Sequence, residues 1–185
     1  MRLTAAVAAV ALAAACSSGG SHQPVSDWEK QHPELLASTE TRSEAPVPPA
    51  FPRPENLIEF YVSANASFRY FIDASTLQSL YNQREVRYVL LARSPSGVDN
   101  VSFEGIRCPD MYRVYAIRGA RGNWIQRSTD WQPTVRRSDL GVPSTLARQF
   151  FCPHSDVIQS AAEGVDALRR GAHPGVYVEQ RNMGE

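Results

Sequence analysis

The chain has 185 residues, enough for one domain with a core of its own plus appendages. Its 19 basic and 19 acidic side chains cancel, which gives no support to a nucleic acid or an acidic polymer as partner. Lys30 is the only lysine, so the cations are almost all guanidinium groups.

Residues 1–15 read as a signal peptide, with Arg2 as a positive start and Leu3 to Ala15 as an apolar run too short to span a bilayer. Ala13-Ala14-Ala15-Cys16 follows and resembles the bacterial lipoprotein signal, in which the cysteine becomes the lipidated first residue. The pattern departs from that signal in one place: Leu12 sits four residues before the cysteine, and Ala13 stands where leucine is preferred. The alternative is an ordinary signal peptide cut near the alanine run. With Cys16 acylated and Ser17 after it, the sorting rule for such proteins implies the periplasmic side of the outer membrane.

Residues 16–55 form a tether. Ser26 to Ala37 has room for a short helix, limited by Pro33. Glu44 to Glu55 holds Pro46, Pro48, Pro49, Pro52 and Pro54, which predicts a semi-rigid, extended spacer.

The domain is expected over residues 56–170, with 171–185 as a tail. Leu57 to Ser63 and Phe68 to Asp73 alternate as strands, with Asn65 and Ser67 in the turn between them. Asp73 is expected to cap a short helix through Leu77 and Leu80. Val86 to Arg93 and Val98 to Arg107 form a hairpin around Ser94-Pro95-Ser96-Gly97. A four-residue loop there places Leu90 opposite Val101, Tyr88 opposite Phe103 and Arg87 opposite Glu104, with one apolar face and one charged face. Met111 to Arg118 is a further strand with Tyr112, Val114 and Ala116 on one face, and Trp124-Ile125 begins a short return. Trp131 and Pro133 fall in irregular chain. Thr145 to Phe151 and Ser155 to Arg170 read as helices, the second weakened by Gly164 and closed by Gly171. The fold class is α+β: an antiparallel sheet of about five to six strands with C-terminal helices packed on one face.

Cys108 and Cys152 remain after Cys16 is set aside, and an exported protein favours pairing them as a disulfide. Closing a loop of about 45 residues stabilises by roughly 4 kcal/mol on the chain-entropy account. A metal site has no support: Cys152 and His154 alone make a poor ligand set. No motif for a nucleophile, a phosphate loop or a cofactor is present. Asp73, Glu104 and Asp110 are the carboxylates available as an acid–base pair. Each also has a plainer role: Asp73 as a cap, Glu104 paired with arginine, Asp110 in a turn.

Together these residues resemble the CNP1-like family of proteobacterial envelope proteins. The likeness runs from Glu59-Phe60-Tyr61-Val62-Ser63 through Arg69-Tyr70-Phe71-Ile72-Asp73, Val86-Arg87-Tyr88, Arg93-Ser94-Pro95-Ser96-Gly97 and Asn100 to Cys108, and ends near Phe150-Phe151-Cys152-Pro153. Glu104-Gly105-Ile106-Arg107-Cys108 is its most specific part. The resemblance implies an exported domain with no catalytic residues and no cofactor to carry over. A fainter likeness links the Tyr70-Phe71-Ile72-Asp73 segment and the cysteine pair to small surface-adhesin lipoproteins. The expected role is a non-enzymatic interaction module reaching an envelope protein or a cell-wall component. The alternatives are a small-ligand-binding periplasmic domain, marked by a deep apolar cavity with a few polar groups, and a cryptic hydrolase.

Overall fold

The computed structural model describes residues 45–127, 129–135 and 141–176. The signal segment, Cys16, the helix expected at Ser26 to Ala37 and the tail from residue 177 on lie outside the described residues.

Eight strands are found among the described residues: β1 (Leu57–Phe60), β2 (Arg69–Asp73), β3 (Gln78–Leu80), β4 (Glu85–Arg93), β5 (Asp99–Arg107), β6 (Met111–Arg118), β7 (Trp124–Gln126) and β8 (Gln132–Pro133). They form one antiparallel sheet in the order β1-β2-β4-β5-β6-β7. The outer edge of β4 is shared: β2 pairs with its second half and β3 with its first. β6 is shared in the same way between β7 and β8. The count exceeds the five to six strands expected because β3 and β8 are three and two residues long, too short for an alternation to show.

The central hairpin β4–β5 is paired one residue away from the expected register. Tyr88 faces Glu104, Val89 faces Phe103, Leu91 faces Val101 and Arg87 faces Gly105. The connection is five residues long, Ser94 to Val98, with Gly97 at φ 83° and the Gly97 amide donating to the Ser94 carbonyl. At its mouth the Arg93 guanidinium binds the Asp99 carboxylate through two nitrogens, at 2.7 and 3.0 Å. The expected register rested on one apolar and one solvated face, but both faces of β4 are buried. On one face Val86, Tyr88 and Leu90 join the core with Phe150, Phe151, Ile158 and Leu168. On the other, Val89, Leu91, Val101, Phe103, Tyr115 and Ala116 form a second core, on which Phe51, Leu57 and Trp124 pack. Without a wet face, polarity does not identify the register.

Three further expectations are corrected. Asp73 caps a turn rather than a helix: its Oδ1 accepts from the Ser75 amide at 2.9 Å and the Ser75 hydroxyl at 2.6 Å, after which the chain enters β3. The face of β6 changes midway, because a bulge against Phe103/Glu104 puts Ala116 opposite Phe103 while Val114 stays opposite Glu104. The C-terminal helix is shorter than Ser155 to Arg170. His154 and Ser155 sit in the left-handed region, at φ 52° and 64°, which no α-helix accepts.

The helical layer starts with α1 (Val142–Thr145), which runs directly into a wider π-helical stretch, Leu146–Phe151. After an irregular crossing that buries Val157 and Ile158 comes α2 (Ala161–Arg170). Ser160 caps α2 by accepting from the Glu163 amide at 3.2 Å, while the Glu163 carboxylate accepts from the Gln159 amide at 2.7 Å. Gly171 closes it at φ 83°. Gly164 faces the sheet side of this helix, and a Cβ there would lie 2.6 Å from Ile158 Cδ1 and 3.1 Å from Leu77 Cδ2. The residue that weakens the helix is the one that lets it approach the core. Cys108 and Cys152 are bonded, joining the end of β5 to the end of the helical stretch.

Packing begins before Asn56. Phe51 stacks on Trp124 with ring centroids 4.5 Å apart, and Trp124 Nε1 donates to the Pro49 carbonyl at 2.8 Å. This half of the proline-rich segment covers the face opposite the helices.

Candidate functional site

The register that puts Glu104 on the helix side of the sheet also creates the most distinctive group of polar side chains. Glu104 lies between Ser102, two residues before it on β5, and Tyr88, directly across on β4. The Ser102 hydroxyl donates to Oε1 at 2.6 Å, and the Tyr88 hydroxyl donates to Oε2 at 3.2 Å. Glu104 is 7% exposed, and Tyr88 is fully buried beneath the Phe151 ring, 5.5 Å between centroids. No salt bridge to Glu104 is found among the described residues. Burial therefore pushes its carboxyl above the ordinary range, against the two hydroxyl donors, which pull it down. Burial also raises the Tyr88 phenol well above its usual value, and the Glu104 charge adds to the effect. Burial shifts both groups toward protonation.

Glu104 lines a recess of 570 Å³, within the range of small-molecule sites. Ala92, Val114 and Ile117 supply apolar wall, and Ser102, Asn100 and Asp99 supply polar edges. The Asp99 carboxylate is engaged by Arg93, whose hydrogen bonds hold it below the usual carboxylate range, with Arg118 adding to the effect. Arg118 also borders the recess, and its guanidinium lies 5.5 Å above the Phe51 ring.

Of the three carboxylates singled out from the sequence, the structure links none to another by a hydrogen bond. Asp73 is consumed by its turn, and Asp110 is exposed between β5 and β6. Glu104 does not pair with an arginine as expected. Arg87 instead bonds Glu85 on its own strand, Nε to Oε1 at 2.5 Å. Reading the sequence missed the Tyr88–Glu104–Ser102 group because it appears only in the shifted register. The available signal was Ser102-x-Glu104 on one strand face.

A second polar group lies on the opposite face. Glu85, 1% exposed, accepts from Arg87 and from the Tyr115 hydroxyl. Beyond it, guanidinium and aromatic groups alternate: Arg87 lies over Tyr115, Arg113 over Tyr115 and Trp131, and Arg107 over Trp131 at 4.2 Å. This stack does not line the Glu104 recess, and it lies on the face of the sheet where no helix packs among the described residues. No cluster of three or more potential metal ligands occurs among the described residues, and His154 has no partner set for such a role.

The family model that describes the CNP1-like family matches residues 37–169. No curated protein and no solved structure matches the chain.

Proposed function

The chain belongs to the CNP1-like family, and from that premise we propose that it is an exported, lipid-anchored envelope protein whose domain works by binding a small ligand rather than by turnover. The observation that carries this reading is the 570 Å³ recess with Glu104 in its wall. Apolar sides and a few converging polar groups are the ordinary composition of a small-ligand site. Among the described residues the large exposed apolar side chains number only five: Val47, Tyr61, Tyr81, Val98 and Ile125. That favours a pocket over a broad protein-docking patch. Absence of turnover is supported by the state of the carboxylates. Asp99 is held by Arg93, so among the described residues that line the recess Glu104 has no second free carboxylate to complete an acid–base pair. The export and anchoring part rests on the apolar segment ending in Ala13-Ala14-Ala15-Cys16.

The test uses 1-octanol as a neutral apolar probe on the uniformly ¹⁵N-labelled mature chain. Amide shifts at Ser102, Val114 and Ile117 are expected to move on titration. Replacing Val114 by Trp fills the recess and is expected to abolish the response. Shifts confined to other parts of the domain, or a response unchanged in Val114→Trp, overturn the assignment.

A further inference from the structure

We infer that the recess selects ligands bearing an organic cation, an ammonium or guanidinium head on a compact apolar body, and that Glu104 is the group that pairs with the head. This rests on the recess being a binding site, as proposed above. The argument starts from what Glu104 lacks. Each of its two oxygens already accepts one hydrogen bond, from Ser102 and from Tyr88, and no cation among the described residues pairs with it. A carboxylate oxygen has a second lone pair to offer, so both oxygens retain acceptor capacity. The complement missing from this site is a positively charged donor. Such a donor makes hydrogen bonds to a carboxylate about twice as strong as neutral ones.

The surroundings point the same way. Among the described residues Arg118 is the one cation that lines the recess, and Arg93 is linked to it only through its pair with Asp99. Arg93 is bonded twice to Asp99, and the Arg118 guanidinium lies over Phe51. An anionic ligand would meet Glu104, while the Arg118 guanidinium is drawn toward Phe51, which packs on the second core. A neutral ligand would gain only an ordinary hydrogen bond from Glu104. Ala92, Val114 and Ile117 suit the apolar body.

Pairing has a measurable consequence. The free site favours the protonated carboxyl because of burial, and a bound cation favours the carboxylate. Binding therefore expels a proton from Glu104, and affinity rises with pH until Glu104 is already ionised in the free protein. The titratable and charged groups around it are Tyr88 and Arg93 on β4, Ser102 (as hydroxyl) and Asp99 on β5, and Tyr112 and Arg118 on β6. From the helical layer, Phe151 packs here and does not titrate. Of these, Asp99 stays ionised through its pairing with Arg93, and Tyr88 stays neutral through burial.

The test compares n-octylammonium, 1-octanol and octanoate by calorimetry on the mature chain, at mildly acidic pH and in two buffers of different ionisation heat. Octylammonium is expected to bind about tenfold tighter than 1-octanol and octanoate weakest, with up to about one proton released per cation bound. Glu104→Gln, whose amide keeps the shape and can accept from one hydroxyl while donating to the other, is expected to remove the preference and the proton release while octanol still binds. If octanol binds and octylammonium binds no tighter, the cation inference is wrong and the binding site stands. Failure of all three probes overturns the binding site itself. A cation preference that survives in Glu104→Gln assigns recognition to Asp99 and overturns the role given to Glu104. Should Glu104→Gln fail to fold, proton release by the wild-type chain decides alone, since its absence also overturns that role.

Discussion

Gly105 is the position where adding one methyl group is most informative. It lies between Arg87 on β4 and Arg113 on β6, and Tyr115 leans across it to reach Glu85. A Cβ at Gly105 would lie 2.9 Å from Tyr115 Cε2, 3.0 Å from Glu85 Oε1 and 3.2 Å from the Tyr115 hydroxyl. None of these atoms has room to retreat, as Tyr115 is 2% and Glu85 1% exposed. By backbone preference alone, alanine in place of a strand glycine gains about 0.5–1 kcal/mol. Against that, overpacking a filled interior costs about 1–3 kcal/mol. Displacing the Tyr115 hydroxyl from the Glu85 carboxylate costs about 1.5–3 kcal/mol more. Gly105→Ala is therefore expected to destabilise by about 1.5–5.5 kcal/mol, read as a lower urea midpoint with unchanged slope. In a Tyr115→Phe background the hydroxyl is already gone, so the two changes should fall short of additivity by about 1–2 kcal/mol. A neutral or stabilising Gly105→Ala, or full additivity, would refute the claim that this glycine exists to admit the tyrosine.

Glu104 contributes a pH dependence of known sign. Its folded pKa is raised, so the native state holds a proton that the unfolded chain has released, and stability falls as pH rises from the ordinary carboxylate range through the folded value. Urea midpoints across pH should show Glu104→Gln losing that slope and exceeding the parent at high pH, with no advantage in acid. Trp124→Ala removes the Phe51 stack and the bond to the Pro49 carbonyl, for a loss of about 1–3 kcal/mol. Amide exchange in residues 45–51 should accelerate with it, and unchanged exchange there would count against docking of this segment. Replacing both Cys108 and Cys152 by Ser should cost roughly 4 kcal/mol, checked by denaturant unfolding against the oxidised parent. The intact mass of membrane-extracted protein is expected to begin at an acylated Cys16, and a product starting at Ser17 or later without acyl mass speaks against the anchor.

The sequence made the long elements readable and left the polar site hidden, for physical reasons. β4, β5 and β6 carry enough Val, Leu, Ile and aromatic residues to be read as strands, and Gly97 marks their turn. The disulfide followed from the expected export and from only two cysteines being left to pair once Cys16 is set aside. The register did not follow, because burial on both faces removes the polar stripe that would have fixed it. The Arg93–Asp99 pair at the hairpin mouth was the usable clue, since it demands a five-residue connection. The start of α2 was misplaced because Val157 and Ile158 continue its apolar spacing while belonging to irregular chain. What delays the helix is the extended backbone at Asp156 and at Ser160, its N-cap. The bulge at Tyr115 was invisible for a similar reason: it is a property of the pairing with β5, not of β6 alone.

The bond between Cys108 and Cys152 makes a closed ring of the chain that contains β6, β7, β8 and the first helical turns. A ring cut once is still a single molecule. The exposed side chains of Arg121 and Arg127 lie inside it, on the β6–β7 connection and just after β7. A trypsin-like protease acting at either one hydrolyses one peptide bond but releases no piece, so the nicked protein migrates as one band until reductant parts it into two fragments. A cut before residue 108 or after 152 sheds its piece at once. Fragment patterns with and without reductant would therefore locate each cleavage inside or outside the ring before any peptide is sequenced.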